Sequence, residues 1–261
     1  MTNPVFFAEP GQLDDVLPGS VFRLAGAEAR HAVTVRRLAA GERADIADGA
    51  GRRVSGSVRS AANTELVLDV ESVVDEPAPP YRLVLVQALA KGDRDELAVE
   101  AATELGVDQV VPWQAERSIV RWRAEKQAKG LAKWESTVRS AAKQARRARI
   151  PEVGTPVDLK GLCALIGRSA LALILHEEAE QPLAAAAADL AAGSRQDADA
   201  AVVMIVGPEG GMSSREVDAM LQAGARAVRL GPHVLRSSTA GPAAVALLSV
   251  QLGRWDRPPA T

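Results

Sequence analysis

One stretch near the C-terminus constrains the fold more than any other. Val202–Val206 is a short, continuous apolar run rich in β-branched side chains, and it stops at Gly207-Pro208-Glu209-Gly210-Gly211. Such a run reads as a strand buried on both faces. Three glycines in five residues let the backbone turn and let a ligand approach where a Cβ would block it. A helix signal follows at once. Ser213 and Glu216 have the spacing of a capping box, and Val217, Met220 and Leu221 recur at helical intervals. A second apolar segment, Ala227–Leu230, meets a second loop, Gly231-Pro232-His233. Val234-Leu235-Arg236 and the polar run Ser237-Ser238-Thr239 then lead into a helix through Leu247. In a parallel sheet both loops open at one strand-end edge, which is where such sheets bind small ligands.

The rest of the chain fits a larger α/β arrangement preceded by a β-rich segment. Residues 1–75 hold five short strand-like runs: Val5–Phe7, Val21–Leu24, Arg43–Ala47, Arg53–Val58 and Glu65–Val70. Turn signals separate them, which predicts a small barrel. One helix, Gly26 to Leu38, interrupts it and carries His31, Arg36 and Arg37. Residues 76–80 hold three prolines and read as a stiff linker. Beyond it the pattern alternates: Arg82–Ala88 strand, Arg94–Leu105 helix ending at Gly106, Val107–Pro112 strand. This βαβ order predicts a parallel sheet with helices on both faces over residues 81–261. Ala170–Leu175 is a further strand, ending in His176-Glu177-Glu178, and Ala184–Ala192 a further helix. Ser194–Asp199 reads as a polar surface loop.

Ala124 to Ala148 reads as one or two helices and is markedly basic. Lys126, Lys129, Lys133, Arg139, Lys143, Arg146, Arg147 and Arg149 face few acids nearby, mainly Glu125 and Glu135. Such a run is either a solvated face or, as a cluster, a phosphate-binding surface. The overall charge of −2 neither announces nor excludes a nucleic-acid partner. Aromatic residues make up only 3% of the chain, which argues against a sheet that stacks several RNA bases. The single cysteine, Cys163, leaves no intramolecular disulfide and no Cys-rich metal site, and suits a reducing, cytoplasmic setting. No signal peptide and no membrane span is expected. The Gly207–Gly211 loop is neither a P-loop nor a dinucleotide fingerprint, because the residues those motifs need are missing.

Taken together, the motifs resemble one family. GPEGG before a capped helix, followed by LG-x-x-VLR-x-x-TA, resembles the bacterial ribosomal RNA small subunit methyltransferases that act on uracil N3. These belong to the SPOUT superfamily. His31 with Val35-Arg36-Arg37, Lys91-Gly92-Asp93-Arg94, Thr103-Glu104-Leu105-Gly106-Val107, Arg117-Ser118 and Lys143-Gln144…Arg147…Ile150-Pro151 match further family stretches in order. Three positions depart from the family pattern. Ser237-Ser238 replaces Thr-Glu, Lys143 stands where an acid precedes Gln144, and Ala101 replaces a common lysine.

The resemblance implies an S-adenosylmethionine-dependent enzyme acting on 16S rRNA or the small ribosomal subunit. It implies a deep trefoil knot in the C-terminal parallel sheet, an N-terminal PUA-like barrel and a homodimer. It needs no metal. It places the cofactor among Leu175, His176, Glu177, Gly207, Pro208, Glu209, Gly210, Gly211, Leu230, Gly231, Leu235, Arg236, Ser237 and Thr239. Arg236 and Glu209 are the catalytic candidates. Arg236 would stabilise charge on a uracil oxygen, and Glu209 would orient a cofactor amine or accept a proton. Read alone, Arg236 is equally a surface ion pair and Glu209 a helix-dipole partner. His31, Arg36, Arg37, Arg117, Lys143 and Arg147 are the candidate RNA contacts. Two other readings remain open at this point: a SPOUT 2′-O-ribose methyltransferase, and a non-catalytic RNA-binding assembly factor, which the missing carboxylate at Ser237-Ser238 would suit. Cys163 reads as a buried apolar residue.

Overall fold

A computed structural model describes residues 3–62, 64–192 and 200–256. The loop expected at Ser194–Asp199 lies outside the described residues. The chain forms two compact units. One holds the residues up to Ala78 together with Ala142–Ile150; the other holds Pro79–Ala141 and the stretch from Pro151 onward.

The first unit is built on a five-stranded sheet. Its strands are β1 (Val5–Phe7), β2 (Val21–Ala25), β3 (Arg43–Ala47), β4 (Arg52–Ala62) and β5 (Glu65–Asp75), in the order β1-β3-β4-β5-β2. β1 runs parallel to β3, and the other ladders are antiparallel. Alternation in β2 sets its register: Phe22 and Leu24 are buried while Val21, Arg23 and Ala25 face solvent. The core joins Phe6, Leu13, Phe22, Ile46, Leu66 and Leu68. The helix expected over Gly26–Leu38 is shorter and irregular. An α-turn, α1 (Gly26–Arg30), passes into a π-helical turn, His31–Val35, and Arg37 then adopts a left-handed φ of 54°. A π-turn inserts one residue per turn, which periodicity cannot reveal.

The residues after β5 are held at their start rather than free. The Glu76 N–H donates to Gly51 O, and its carboxylate accepts from the Arg53 guanidinium at 2.7 Å. Arg53, only 8% exposed, also reaches Asp45 at 3.1 Å and the Arg146 carbonyl at 2.9 Å. A buried guanidinium is tolerable because its donors are satisfied this way. Ala142, Ala148 and Ile150 pack with Val5, Phe7 and Ala47 of the same unit.

The second unit is a six-stranded parallel sheet: β6 (Arg82–Ala88), β7 (Gln109–Trp113), β8 (Glu152–Val153), β9 (Leu171–Leu175), β10 (Ala201–Val206) and β11 (Arg226–Val228). The order is β11-β9-β10-β6-β7-β8. Central strands β6 and β10 are buried along nearly their whole length, as the apolar runs Leu83–Val86 and Ala201–Val206 require. Helices α2 (Arg94–Leu105), α5 (Leu183–Ala192) and α7 (Ser237–Gln251) pack together, and α7 lies on β6 and β10. Helices α4 (Leu159–Gly167) and α6 (Ser214–Gln222) join a core with Val84, Val86, Val203 and Ile205. The remaining helix, α3 (Glu125–Gln144), follows β7. Gly241 lets α7 lie close on β6, since a Cβ there would sit 2.9 Å from Leu85 Cδ1. Gly106 ends α2 in the left-handed region at φ 105°, as its sequence position predicts.

Asp95, in the first turn of α2, is a buried carboxyl, 5% exposed. Burial pushes its pKa up from 3.8 to about 6, although backbone N–H groups, that of Glu96 among them, partly offset this. The folded state therefore binds the Asp95 proton more tightly than the unfolded chain does. The stability this contributes is present below pH 3.8 and lost as pH rises through 6. A difference of that size corresponds to roughly 3 kcal/mol. Asp95→Asn should accordingly stabilise the protein by about 2 kcal/mol at pH 8, with the gain vanishing below pH 4. Urea denaturation across that range checks it. A gain independent of pH would mean that burial of charge is not its source.

Candidate active site

The strand ends converge on a cleft of about 930 Å³. Its floor is the C-terminal ends of β9 and β10, at Leu175 and Val206. The two strands are paired directly, Val206 opposite Leu175, so the loops that follow them start side by side. The Gly207–Gly211 loop forms one wall, His176-Glu177-Glu178 a second, and Val234–Ser237 with Ala240 a third. Clefts of this size suit a drug-sized ligand.

The three glycines of the loop serve different ends. A Cβ at Gly207 would sit 2.9 Å from Met212 Cγ, and one at Gly210 3.3 Å from Arg117 Cβ. Those two positions therefore need closeness to a neighbour. Only Gly211 uses the left-handed region, at φ 71°. The capping box is present as read: Ser213 Oγ accepts from Glu216 N–H at 3.1 Å, and Glu216 Oε2 accepts from Ser213 N–H at 2.9 Å. Glu216 has a second task, because its Oε1 accepts from Glu116 N–H at 2.7 Å. It thereby ties the segment carrying Arg117 to the start of α6. Arg117 in turn donates to the Gly210 carbonyl at 3.3 Å. Arg215 closes the same corner on Glu116, whose carboxyl is held below its usual range by the Ser213 hydroxyl and by that guanidinium.

Of the expected cofactor residues, Leu175, His176, Glu177, Gly207, Pro208, Glu209, Gly210, Gly211, Leu235, Arg236 and Ser237 line the cleft. Leu230, Gly231 and Thr239 are not among its lining residues. Gly231 is exposed in the loop after β11, and Thr239 is exposed at the start of α7, where Ala240 takes the lining position. His233 is exposed and does not line it.

Glu209 is not a lone carboxylate. Its Oε1 accepts from Arg94 Nη1 at 3.0 Å and from Lys91 N–H at 3.3 Å. The glycine loop is thereby linked to the Lys91–Arg94 turn across more than a hundred residues of sequence. Arg94 and Asp218, which sequence reasoning did not place here, both line the cleft. Arg94 stands in the Lys91-Gly92-Asp93-Arg94 stretch; Asp218 carries no sequence signal of its own. Arg236 is exposed at the mouth, as the N-cap of α7, with extended backbone. Among the described residues its guanidinium has no hydrogen bond or ion pair. α7 has no side-chain cap and no acid in its first turn, and Ser237 Oγ is buried without a partner. That end of the helix therefore presents uncompensated positive charge.

The candidate RNA residues fall in both units. Arg117 lines the cleft. In the first unit Arg36 and Arg37 are exposed just past the π-turn. His31 packs edge-on against Phe6, 6.2 Å between ring centroids. Burial, then the Lys143 charge, depresses its pKa, which favours the neutral imidazole. Lys143 pairs with Glu28 at 2.6 Å and lies 5.5 Å from the Phe6 ring centroid. Arg147 is half-buried. The basic run is thus less bare than its sequence suggests. Lys133 pairs with Glu96 at 2.6 Å, and the Arg149 guanidinium caps the Ala50 and Glu76 carbonyls. These partners are distant in sequence, so local composition overstates the surplus of charge. Cys163 is half-buried on α4, its thiol 3.7 Å from the Ala219 carbonyl and raised in pKa by burial, which disfavours the thiolate. Among the described residues no cluster of His, Cys, Asp and Glu could hold a metal, and no helix is long and apolar enough to cross a membrane.

Comparison with known proteins agrees with this arrangement. Residues 77–249 match the family described as RNA methyltransferase domain, and residues 24–71 match the one described as RNA methyltransferase PUA domain. Ribosomal RNA small subunit methyltransferase E of Mycobacterium bovis is 43% identical over 253 residues, covering 93% of this chain and 92% of that protein. A methyltransferase structure from Legionella pneumophila, in complex with bound S-adenosylmethionine, is 28% identical with a TM-score of 0.77, covering 96% of this chain and 98% of that one. The ribosomal RNA small subunit methyltransferase E of Neisseria gonorrhoeae, bound to S-adenosylmethionine, is 25% identical with a TM-score of 0.76, covering 95% and 98%. With a parallel α/β sheet, a PUA-type N-terminal domain and this cleft, the chain belongs to the ribosomal RNA small subunit methyltransferase E family.

Proposed function

We propose that the protein transfers a methyl group from S-adenosylmethionine to N3 of one uridine in the 16S rRNA of the small ribosomal subunit. The observation that carries this reading is the cleft at the joined ends of β9 and β10, walled by Gly207–Gly211 and by Arg236-Ser237. Its residues fit the cofactor. Leu175, Val206, Pro208 and Leu235 offer apolar surface for a purine, and backbone groups of the two loops offer hydrogen bonds around it. Glu177, Glu178, Glu209 and Asp218 supply negative charge for a sulfonium and an ammonium. The orphaned Ser237 hydroxyl supplies a polar group with no internal partner.

When bound, S-adenosylmethionine supplies an electrophilic methyl group. The chain supplies position and charge. The Gly207–Gly211 loop, braced by Met212 and Arg117, holds the donor side of the cleft in one geometry. Glu209 acts as a positioning residue, since one of its oxygens is already engaged by Arg94 and Lys91 N–H. Arg236, with the bare N-terminus of α7 behind it, sits where negative charge on a uracil oxygen would be stabilised as N3 loses its proton.

The same reading includes a trefoil knot in the C-terminal unit, a boundary near residues 76–80 and RNA contacts through Arg36, Arg37, Arg117, Lys143 and Arg147. A homodimer is supported by apolar side chains left in solvent on the α2–α7 pair: Leu97, Leu247 and Val250. Nucleoside mass spectrometry of 16S rRNA from cells with and without the gene tests the reaction. N3-methyluridine should disappear in the deletion and return on complementation. Its persistence, or loss of a ribose methyl instead, would overturn the assignment.

A further inference from the structure

The segment between β7 and α3 has features that the cofactor cleft does not use. It carries Arg117, Arg121 and Arg123, and Lys126 follows in the first turn of α3; all four are exposed. Its middle is pinned by Trp122. The indole packs edge-on against Trp134, with ring centroids 5.6 Å apart and planes at 75°. It occupies the space above Gly130, where a Cβ would lie 2.4 Å from its ring. The Trp122 N–H donates to Gln114 Oε1 at 3.0 Å, and Arg121 donates to the Glu116 carbonyl at 2.7 Å. An anchored tryptophan thus holds an arginine on each side of it. Ala124 then takes a left-handed φ of 45°, and the chain turns into α3.

The result is a shallow groove of about 650 Å³ lined by Arg121, Arg123, Ala124, Glu125 and Lys126. Among the described residues the Arg123 guanidinium and the Lys126 ammonium make no ion pair or hydrogen bond. One acid faces three cations there. The near end of the segment is Arg117, bound to the Gly210 carbonyl and lining the cleft. Five residues separate Arg117 from Arg123, so the two lie within roughly 20 Å of each other.

We propose that residues 117–126 form a strap that grips the phosphates of single-stranded RNA flanking the methylated nucleotide. The inference rests on the proposed RNA-methylating function and adds to it a second anchoring point, on the catalytic unit itself. Guanidinium groups hold phosphates through a planar fork, and a backbone contact is indifferent to base sequence. A strand held there would enter the cleft past Arg117. Trp122 is the strap's positioning residue, because it fixes the chain from which Arg121 and Arg123 project.

Salt titration of RNA binding tests this, because each phosphate contact on single-stranded RNA contributes about 0.7 to the slope of log affinity against log salt. The double variant Arg121→Ala/Arg123→Ala is compared with Lys160→Ala/Arg168→Ala, which removes the same charge from exposed positions on α4 and at its C-cap. The probes are a 16S rRNA transcript and a short oligouridine, and cofactor affinity, read by calorimetry, confirms folding. The strap variant should show a slope shallower by about 1.4 and roughly tenfold weaker binding, while the α4 variant stays near wild type. If wild-type protein methylates 16S rRNA and both variants titrate alike, the strap is wrong and the function stands. If wild-type protein binds neither RNA, both readings fall. If the strap variant binds RNA normally and loses only its retention on assembled subunits, the segment meets a ribosomal protein and the RNA proposal is overturned.

Discussion

Arg236→Ala is expected to lower turnover by roughly two to three orders of magnitude while changing S-adenosylmethionine affinity by no more than about threefold. The reasoning starts from what surrounds the side chain. Arg236 precedes the first turn of a fifteen-residue helix that has no side-chain cap and no acid in its first turn. Both the guanidinium and the free N–H groups behind it point positive charge toward the cleft. Ordinary surface arginines relax against a carboxylate; among the described residues this one has none. A group of that kind gains most when negative charge develops beside it, which in the proposed reaction would happen as a uracil gives up its N3 proton and charge spreads onto its carbonyl oxygens. Uncharged ground states gain little from it, so the effect should fall on kcat rather than on cofactor binding. Arg236→Lys separates charge from shape: the ammonium keeps the charge but loses the planar fork, and turnover should lie between the other two. Single-turnover kinetics on 16S rRNA with saturating cofactor give the measurement. Near-normal turnover for the alanine variant would remove the arginine from the chemistry. A change confined to the KM for RNA would make it a phosphate contact instead.

How much of this was legible in the sequence depends on the range of the interactions involved. The strand Val202–Val206, the glycine loop and the Ser213–Glu216 capping box are local patterns, and each stands where its residues place it. Gly106 ended α2 for an equally local reason. The Arg94–Glu209 pair was out of reach, since no pattern within either segment says that they meet. The charge surplus of the Lys126–Arg149 run was overstated for the same cause: Glu96 and Glu28 lie far away in sequence and close in space. Helix α4 went unnoticed because Leu159–Gly167 is short and nearly all apolar, which blurs its period. The departure at Ser237-Ser238 was visible as a missing carboxylate. Its consequence, a helix start with unopposed positive charge beside Arg236, needed the fold.

Glu216 shows how a locally readable residue acquires a longer-range task, and it carries the largest expected effect on stability. Its side chain is 1% exposed. One carboxylate oxygen accepts from Ser213 N–H and the other from Glu116 N–H, at 2.9 and 2.7 Å. Glu216→Ala removes both acceptors at once and leaves two part-buried backbone donors without them. Each such donor costs about 1–2 kcal/mol, so a loss of roughly 3 kcal/mol is expected. For a chain of this size that lowers Tm by about 5–10 °C. Glu216→Gln has a single acceptor oxygen. Glutamine serves a capping box, so the Ser213 bond should survive and the Glu116 bond should fail, for about half the loss. The two variants should also differ in function. Glu116 adjoins Arg117, which braces Gly210, so a freed Glu116 loosens the wall of the cleft. Glutamine should therefore raise the KM for S-adenosylmethionine several-fold out of proportion to its modest effect on Tm. Calorimetry of both variants beside steady-state kinetics decides the matter. An alanine variant that melts with the wild type would show that neither bond of the Glu216 carboxylate contributes to stability; equal KM values would show that the Arg117 segment holds itself.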